Sequence, residues 1–317
     1  MALFLTEADV AHLLPIPLAI EAVEAVFRRH GEGNVVNQPR ARLRLNDRLL
    51  HVMSAALPGL AAMGLKAYTT GPGQNHHVVL LWSGQDGRLE ALIEASRLGQ
   101  IRTGAASGVA TKFLAREDAQ VVGLYGAGWQ AESQIRAVCG VRTVRRVQVY
   151  SRDPERRRRF CRGMEPQLGV EMVAVDSPAE AARDALILIT ATNARDPVLL
   201  GDWVEPGSHV NAIGSNALNR REIDAALVER SQLVVVDAKD QARIECGDLV
   251  EPMERGILSW DDVRELGEVV VGKIPGRPHR DAITLFESQG LAMEDVAVAS
   301  GIVARARAEG VGTEIPL

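Results

Sequence analysis

The 317-residue chain is poor in the features that mark several large classes of protein. Its three cysteines, Cys139, Cys161 and Cys246, are too few and too widely spaced for a disulfide framework or a zinc knuckle. No apolar run approaches the roughly 18 residues that a membrane span needs, and the first ten residues contain acids but no basic stretch. These absences predict a cytoplasmic protein that uses neither a membrane nor a metal.

A surplus of positive charge is also missing. The 36 lysines and arginines face 41 acids, for a net charge of -5. Because a nucleic-acid binder normally carries a basic face that shifts this balance, we expect no nucleic-acid partner. The hydrophobic content of 46% and the 24% of charged residues are instead typical of a globular α/β protein, and the length suits two domains.

The first third of the chain indicates a sheet. After two helical patterns, residues 38–57 alternate polar and apolar side chains around Asn46-Asp47, as a β-hairpin does. Further strand patterns follow and predict a mostly antiparallel sheet. Residues 96–116 then show a helical period and are rich in alanine and glycine, whose small side chains let another backbone approach. We expect this helix to connect two domains.

From Asp118 the rhythm changes to short β-rich runs that alternate with helices, which predicts an α/β fold with a doubly wound parallel sheet. After Asp281 come one strand-like run and a long amphipathic helix, which we expect to pack on the N-terminal domain. The predicted domains are therefore residues 117–269 for the parallel-sheet domain and residues 1–116 with 270–317 for a discontinuous outer domain.

A glycine-rich stretch, G-A-G-W-Q-A at residues 126–131, fits the G-x-G-x-x-A pattern of dinucleotide-binding turns. It follows a strand pattern and opens a helix pattern, which is the context that this motif needs. The helix N-terminus would offer unpaired N–H groups to a pyrophosphate. The stretch predicts an NAD(P) site that includes Gly126, Gly128, Trp129, Gln130 and Ala131.

The residues at the end of the next strand would contact the ribose of the cofactor and so predict whether it carries a 2′-phosphate. NAD enzymes usually carry an acid about 20 residues past the glycines, whereas this strand ends in Tyr150-Ser151-Arg152. Ser151 and Arg152, helped by Arg156, suit a 2′-phosphate and predict NADPH, with NADH possible. Asp153, one position later, leaves open an acid for the 2′-hydroxyl. At the ends of the later strands we expect four further cofactor contacts: Thr190, Thr192, Ile213 and Gly214.

Four segments, in order, resemble the ornithine cyclodeaminase and mu-crystallin family over nearly the whole chain. They read IRTGAASGVATKFLAR, GLYGAGWQAESQ, NAIGSNALNRREID and ITLFESQGLAMEDVAVA. The resemblance implies a Rossmann domain inserted into a discontinuous α/β dimerisation and substrate domain, and hence a homodimer. It also implies an activity among those of the family's cyclodeaminases, alanine dehydrogenases and ketimine reductases.

The resemblance also assigns residues. Lys66 in MGLKAY matches the family's active-site lysine, and Arg102 in IRTGAA matches the arginine that binds the substrate carboxylate or orders the site. Thr103 would lie beside the cofactor phosphates. Among three arginines that alternate along one strand and would share a face, Arg42 best fits the family's spacing. The other two are Arg40, which we also expect to bind substrate, and Arg44.

Asn216 is the informative departure, because cyclodeaminases carry an aspartate in this segment and an amide cannot act as a base. Asn216 therefore favours an enzyme that reduces an imine over one that deaminates. We expect Asn216 to be a third catalytic residue, beside Lys66 and Arg102. His77 is a further substrate-binding candidate, but adjacent His76 would point to the other face of the strand. The segment between Lys66 and Gly84 is shorter than in the family pattern, so the substrate's identity stays open.

These patterns predict an NAD(P)H-dependent oxidoreductase that reduces the C=N bond of a small α-imino acid. A first alternative is an NAD-dependent ornithine cyclodeaminase or alanine dehydrogenase, against which Asn216 and Arg152 weigh. A second is a non-catalytic NADPH-binding protein, against which the retention of Lys66 and Arg102 weighs.

Overall fold

The computed structural model describes residues 1–316, which form two compact units. Unit 1 comprises Met1–Thr103 and the chain from Gly290 onward, and unit 2 comprises Gly104–Gln289. A discontinuous outer domain is therefore confirmed, although its borders differ from those expected.

The first part of the chain contains six strands and three helices. They are β1 (Ala2–Leu5), α1 (Glu7–Leu13), α2 (Ile16–Gly31), β2 (Val36–Leu45), β3 (Arg48–Leu57), β4 (Ala62–Thr70), β5 (His77–Ser83), β6 (Leu89–Glu94) and α3 (Ser96–Leu114). A single 3-10 turn, Pro58–Leu60, connects β3 to β4.

The middle part alternates strands and helices. They are β7 (Val121–Tyr125), α4 (Trp129–Val141), β8 (Arg146–Tyr150), α5 (Pro154–Leu168), β9 (Glu171–Ala174), α6 (Pro178–Ala182), β10 (Ile187–Thr190), β11 (His209–Ala212), α7 (Ala225–Arg230), β12 (Ser231–Val236), α8 (Lys239–Glu245), α9 (Val250–Glu254), β13 (Arg264–Glu265), α10 (Leu266–Val270) and β14 (Ile283–Glu287). The last elements are α11 (Ala292–Glu309) and β15 (Thr313–Ile315).

Unit 1 is built on a seven-stranded sheet in the order β15-β1-β6-β5-β4-β3-β2. Only β1 and β6 pair in parallel, so the expected mostly antiparallel sheet is confirmed. Leu45 pairs with Arg48 across the expected two-residue turn, where Asn46 takes a left-handed φ of 56°. Helix α11 covers one face so closely that a Cβ at Gly64 would lie 2.8 Å from Val296 Cγ2.

Unit 2 contains an eight-stranded parallel sheet in the order β13-β12-β14-β11-β10-β7-β8-β9. The run from β9 to β14 follows the Rossmann order 3-2-1-4-5-6, which confirms the predicted doubly wound fold. The strand order reverses between β7 and β10. Ligands of such sheets bind at the carboxyl ends of the strands beside this reversal.

The expected placement of the tail strand was wrong. β14 lies inside the parallel sheet between β11 and β12, rather than in the outer domain. All five of its residues are buried, as a central parallel strand requires. The inner unit therefore extends to Gln289 rather than to residue 269, while α11 belongs to unit 1 as expected.

The inner unit also begins earlier than expected, within α3 at Gly104 rather than at residue 117. A Cβ on Gly104 would lie 2.4 Å from the carbonyl oxygen of Ser133 in α4. The small residues of this helix therefore admit another backbone, as the sequence predicted. Among residues 1–316, no single helix is long and apolar enough to cross a membrane, although α1 and α2 together, bent by 84°, meet that test.

Replacing Gly104 by alanine is expected to destabilise the protein by about 1–3 kcal/mol, because the new methyl group overpacks the contact with Ser133. Urea unfolding of Gly104→Ala measures this change. The control is Gly163→Ala in α5, where a Cβ meets nothing within 4 Å and alanine is the better helix former by about 0.5–1 kcal/mol. Equal midpoints for both variants would contradict the packing account.

Candidate active site

A buried ion pair links β4 to α11 in unit 1. Lys66 is 4% exposed, and its Nζ donates to Oδ1 of Asp295 at 3.0 Å. Asp295 is fully buried in the first turn of α11. The ammonium reaches this carboxylate past Gly99, where a Cβ would lie only 2.5 Å from Nζ. Glycine at position 99 is therefore what gives the lysine head group its space.

Arg102 shares the same carboxylate. Its Nε donates to Asp295 Oδ1 at 3.0 Å and its Nη1 donates to Glu294 Oε2 at 2.9 Å. A Cβ at Gly290, which has a φ of +80°, would lie 2.4 Å from Nη1. The guanidinium is thus fixed by two neighbouring acids of one helix turn.

Burial and charge set the pKa values of this cluster. Burial lowers the pKa of Lys66 from 10.5 to about 8, although the Asp295 carboxylate opposes the change. Burial also acts on Asp295 and Arg102, but the attraction between them outweighs it, lowering the pKa of the acid and raising that of the base. Burial raises the pKa of Glu294. Lys66 therefore exchanges its proton near neutral pH while Asp295 stays ionised.

The three arginines of β2 have different environments. A register shift between Gln38 and Ala41 places an extra residue in β2 and interrupts the strict alternation at Arg40. Arg40 is 6% exposed and its Nη2 donates to the Gly290 carbonyl at 3.2 Å. Arg42, opposite His51, and Arg44 are exposed. Arg42 pairs with His51, and Met53 on the same face of β3 pairs with Lys66, so Arg42 lies on the sheet face that carries Lys66. Arg40 contacts the Gly290 carbonyl just before α11, the helix that packs on that face. The expectation that the three arginines share a face stays a prediction.

Three rings stack across neighbouring strands beside Lys66. Tyr68 lies between His51, at a centroid distance of 4.3 Å, and His77, at 4.9 Å, with the rings nearly parallel. Lys66 Nζ lies 5.8 Å from the Tyr68 ring. Burial, reinforced by the nearest cations, lowers the pKa of both histidines to about 4. At neutral pH both are uncharged, while His76 is exposed before β5.

The glycine-rich turn of unit 2 fits a dinucleotide. Gly126 has a φ of +114°, and a Cβ there would lie 2.4 Å from the Ala191 carbonyl. Gly128 is the N-cap of α4, and no side chain caps this helix, so its N-terminus suits a phosphate. Ala131 is fully buried in the core beneath. The buried Oε1 of Gln130 has no hydrogen-bond partner, as expected of a group that waits for a ligand.

The end of β8 presents positive charge beside this turn. Arg152 is exposed, and Arg156 donates from Nε to the Ala127 carbonyl at 3.0 Å. Ser151 donates to the Asp153 carbonyl, and the Asp153 carboxylate caps α5 by accepting two backbone N–H groups. Both of these bonds go to Oδ1, so the capping role leaves the second oxygen of Asp153 as an acceptor for a 2′-hydroxyl. A groove of about 410 Å³ adjoins the turn and is lined by Trp129 and Arg156, among others.

Thr190, Thr192 and Gly214, at the ends of β10 and β11, meet the buried Glu222 instead of open solvent. The Thr190 hydroxyl donates to Oε2 at 2.8 Å, and the backbone N–H groups of Thr192 and Gly214 donate to Oε1 and Oε2 at 2.6 Å. Ile213 is buried at the end of β11. These four expected cofactor residues thus form one bonded edge of the sheet.

The remaining expected residues are placed as follows. Asn216 is half-buried in the loop after β11 and belongs to unit 2, whereas Lys66 and Arg102 belong to unit 1. Thr103 donates its hydroxyl to the Gly99 carbonyl, one turn earlier in α3.

One group of buried side chains has metal-ligand chemistry. Ligand-type atoms of Cys246, Asp248 and Glu287 lie within 4.8 Å of one another. The Cys246 thiol donates to Glu287 at 3.4 Å, and burial raises the pKa of all three groups. A protonated thiol is not a metal ligand, so we assign no metal to this cluster, and the expectation of a metal-free protein stays a prediction.

Comparison with known proteins decides the family. The family model for ornithine cyclodeaminase and mu-crystallin matches residues 1–310. The chain belongs to the ornithine cyclodeaminase/mu-crystallin family. The resemblance stated from four sequence segments is thereby confirmed.

Relatives within this family narrow the activity class. A Δ1-pyrroline-2-carboxylate reductase of Bacillus cereus is 37% identical over 83% of both chains. The structure of the Thermococcus litoralis Δ1-pyrroline-2-carboxylate reductase with NADH and L-proline has a TM-score of 0.95, with 36% identity over 99% of this chain and all of that one. An archaeal alanine dehydrogenase dimer with bound NAD has a TM-score of 0.94, with 32% identity over 100% and 99% of the two chains. The predicted class, an NAD(P)H-dependent oxidoreductase of C=N or CH–NH bonds, is confirmed.

Sequence reasoning missed three acids and one histidine of these sites. Glu294 and Asp295 look like the ordinary first-turn acids of a helix, and only their place among the otherwise apolar, buried residues of its first half, 292–299, signals more. Glu222 lies six positions after Asn216 within the segment NAIGSNALNRREID, but nothing in that segment marks it as a buried hydrogen-bond acceptor. His51 could have been found, because the hairpin register around Asn46-Asp47 sets it opposite Arg42.

Replacing Asp295 by asparagine is expected to cost about 3–5 kcal/mol of unfolding free energy, because two buried cations lose a shared carboxylate. Urea unfolding of Asp295→Asn measures the loss. Glu309→Gln is the matched control, since Glu309 is an exposed acid of the same helix whose partners are Arg305 and His12. Its midpoint should stay near that of the unaltered protein. An equally small shift for Asp295→Asn would contradict a network that depends on this carboxylate.

Proposed function

We propose that the protein reduces the C=N bond of a small cyclic α-imino acid, with Δ1-pyrroline-2-carboxylate as the first candidate. The observation that carries the proposal is the buried Lys66 amine, whose pKa of about 8 suits proton delivery near neutral pH. The Thermococcus litoralis relative was solved with L-proline, the product of that reduction.

The charge balance of unit 1 supports an anionic substrate. Its buried charged side chains are the three cations Arg40, Lys66 and Arg102 and the two carboxylates Glu294 and Asp295. The surplus of one positive charge suits a single α-carboxylate. Nε and Nη1 of Arg102 already donate to Asp295 and Glu294. We therefore assign Nη2 of Arg102 and the neighbouring Arg40 to the α-carboxylate of the substrate.

The chain's own residues then account for the proton. Reduction of C=N adds a hydride to the carbon and a proton to the nitrogen; the reduced nicotinamide supplies the hydride when it is bound. Lys66 donates its proton to the imine nitrogen and regains one from solvent. Asp295 holds the Lys66 amine in place and keeps part of its basicity. Neutral His77 and Tyr68 bound this site by their stacked rings. The catalytic role of Asn216 in unit 2 stays a prediction from the sequence, in which its amide offers hydrogen bonds without exchanging protons.

We propose NADPH as the preferred cofactor, with NADH as the possible substitute. Arg152 and Arg156 lie at the end of β8 and over the glycine-rich turn, and Ser151 adds a hydroxyl. Asp153 caps α5 through Oδ1, and its second oxygen is the group that would accept a 2′-hydroxyl when NADH replaces NADPH.

A homodimer is proposed from the uncovered face of the unit 1 sheet. Met63 adjoins Gly64 and so points away from α11, and Leu43, Leu45 and Leu50 share its face. These four side chains are 38–75% exposed. Contiguous apolar surface of this kind usually marks an interface, and the archaeal alanine dehydrogenase relative is a dimer.

A cytoplasmic location is proposed because all three cysteines are unpaired thiols.

Purified protein is expected to oxidise NADPH with Δ1-pyrroline-2-carboxylate, in an absorbance assay that also presents larger cyclic imino acids and pyruvate with ammonia. Lys66→Met should lower kcat by at least about 100-fold, because it removes the proton donor, while the Kd for NADPH changes less than about twofold. Turnover of pyruvate and ammonia alone would assign an alanine dehydrogenase, and ammonia release from ornithine a cyclodeaminase. Tight NADPH binding without any turnover would leave a binding protein.

Arg152→Ala is expected to raise the Kd for NADPH by at least about tenfold, because a charge-assisted bond to the 2′-phosphate is lost, and to leave the Kd for NADH unchanged. Fluorescence titration of both cofactors measures the two constants. Arg158→Ala, which removes an exposed arginine of α5 that pairs with Glu155, is the control for the general loss of a positive charge. A parallel loss for NADH would contradict a role at the 2′-phosphate.

A further inference from the structure

A buried carboxylate holds together the two strand ends that lie at the cofactor edge of unit 2. We propose that Glu222 is a positioning residue for the dinucleotide: it clamps the ends of β10 and β11 and thereby shapes the turn that receives the cofactor. Glu222 is fully buried, and it accepts hydrogen bonds from Thr190, Thr192 and Gly214 at 2.6–2.8 Å. This inference rests on the dinucleotide site described above.

The clamp reaches the glycine-rich turn through direct packing. Glu222 fixes the backbone N–H of Thr192, and the preceding Ala191 carbonyl lies where a Cβ on Gly126 would come within 2.4 Å. Ala191 in turn donates its backbone N–H to Tyr125, the last residue of β7. Displacing the segment 190–192 would therefore displace Gly126, the residue that makes the tight turn before α4.

Gly214 closes the other side of the clamp. A Cβ at this position would lie 2.1 Å from the Thr192 carbonyl and 2.6 Å from the carboxyl carbon of Glu222. The two strand ends thus approach each other only because residue 214 is glycine and because a carboxylate occupies the space between them. The local fold is built around this one side chain.

The backbone of Glu222 is held as firmly as its side chain. Asp248 accepts the backbone N–H groups of Glu222 and Ile223 through Oδ1, at 2.6 and 2.9 Å. The Glu222 carbonyl accepts from Val198 and Leu199 in the opposite direction. Because its backbone is fixed, Glu222 cannot move with residues 190–192. A positioning group needs this kind of rigid support.

A carboxylate is the group that these bonds need. Both backbone partners are donors only, so each needs an acceptor oxygen, and an amide would present its NH2 to one of them. Burial raises the pKa of Glu222 to about 7, and Asp248 adds a smaller contribution of the same sign. Burying a carboxylate costs more free energy than burying a neutral glutamine of equal size. The presence of the acid therefore indicates that its two acceptor oxygens are needed.

The test is direct binding of NADH and NADPH to the full-length protein, measured by fluorescence titration of Glu222→Gln. We expect both Kd values to rise at least about tenfold and by the same factor, because a buried backbone N–H is left facing the amide NH2 of the glutamine and the change does not involve the 2′-phosphate contacts assigned to Arg152 and Arg156. The matched control is Glu287→Gln, which removes another buried acid without touching residues 190, 192 or 214. Its Kd values should stay within about twofold of the unaltered protein.

A merely structural role would act differently, since partial unfolding lowers the number of binding sites but not the Kd of each site. Unchanged Kd values in folded Glu222→Gln would overturn the proposal, as would an equal loss in Glu287→Gln. If Glu222→Gln does not fold, Thr190→Val is compared with Thr190→Ser: only valine removes the hydroxyl bond to Glu222, and a rise in Kd of about threefold is expected for it alone. Failure of the unaltered protein to bind either cofactor would instead overturn the cofactor site itself.

Discussion

The buried cluster of unit 1 depends on one carboxylate that is shared by two cations. Asp295 accepts from Lys66 and Arg102 with the same oxygen while all three side chains are buried. Removing ions from water is costly, and only close pairing offsets that cost. The glycines at positions 99 and 290 follow from this constraint, because a methyl group at either would occupy the position of a cation's nitrogen.

The same carboxylate keeps Lys66, the proton donor that we propose, from losing its charge altogether. Burial alone would drive the amine to its neutral form, and Asp295 holds the pKa at about 8 rather than lower. In unit 2 a second buried acid, Glu222, plays the corresponding part for backbone N–H groups instead of cations. Both sites are thus ordered by acids that do not themselves meet the reacting atoms in our account.

Much of the fold could be predicted from local signals. The hairpin at Asn46-Asp47, the alternation after Asp118 and the turn that begins at Gly126 each depend on neighbouring residues. The position of β14 could not, because a short apolar run does not say which sheet will bury both of its faces. The border within α3 was missed for a similar reason, since a continuous helix carries no local mark of the unit on which each half packs.

The site was predictable where a motif carries the residue and not where packing creates the role. Lys66 and Arg102 follow from their segments, whereas the bulge that buries Arg40 is a property of the β2–β3 register. Glu294, Asp295 and Glu222 act through partners that are distant in sequence, Lys66 being 229 residues from Asp295. Such pairings need the folded chain.

The dependence of kcat/KM on pH tests the central claim most directly, measured from pH 6 to 10 with NADPH and Δ1-pyrroline-2-carboxylate. Because the donor that we propose is the protonated Lys66 amine, whose pKa burial lowers to about 8, we predict that kcat/KM is steady at low pH and falls tenfold per unit above about 8. In Lys66→Arg, whose cation does not titrate in this range, the residual activity should lose that fall. A fall of the same shape and midpoint in Lys66→Arg, or its absence from the unaltered enzyme, would contradict Lys66 as the proton donor.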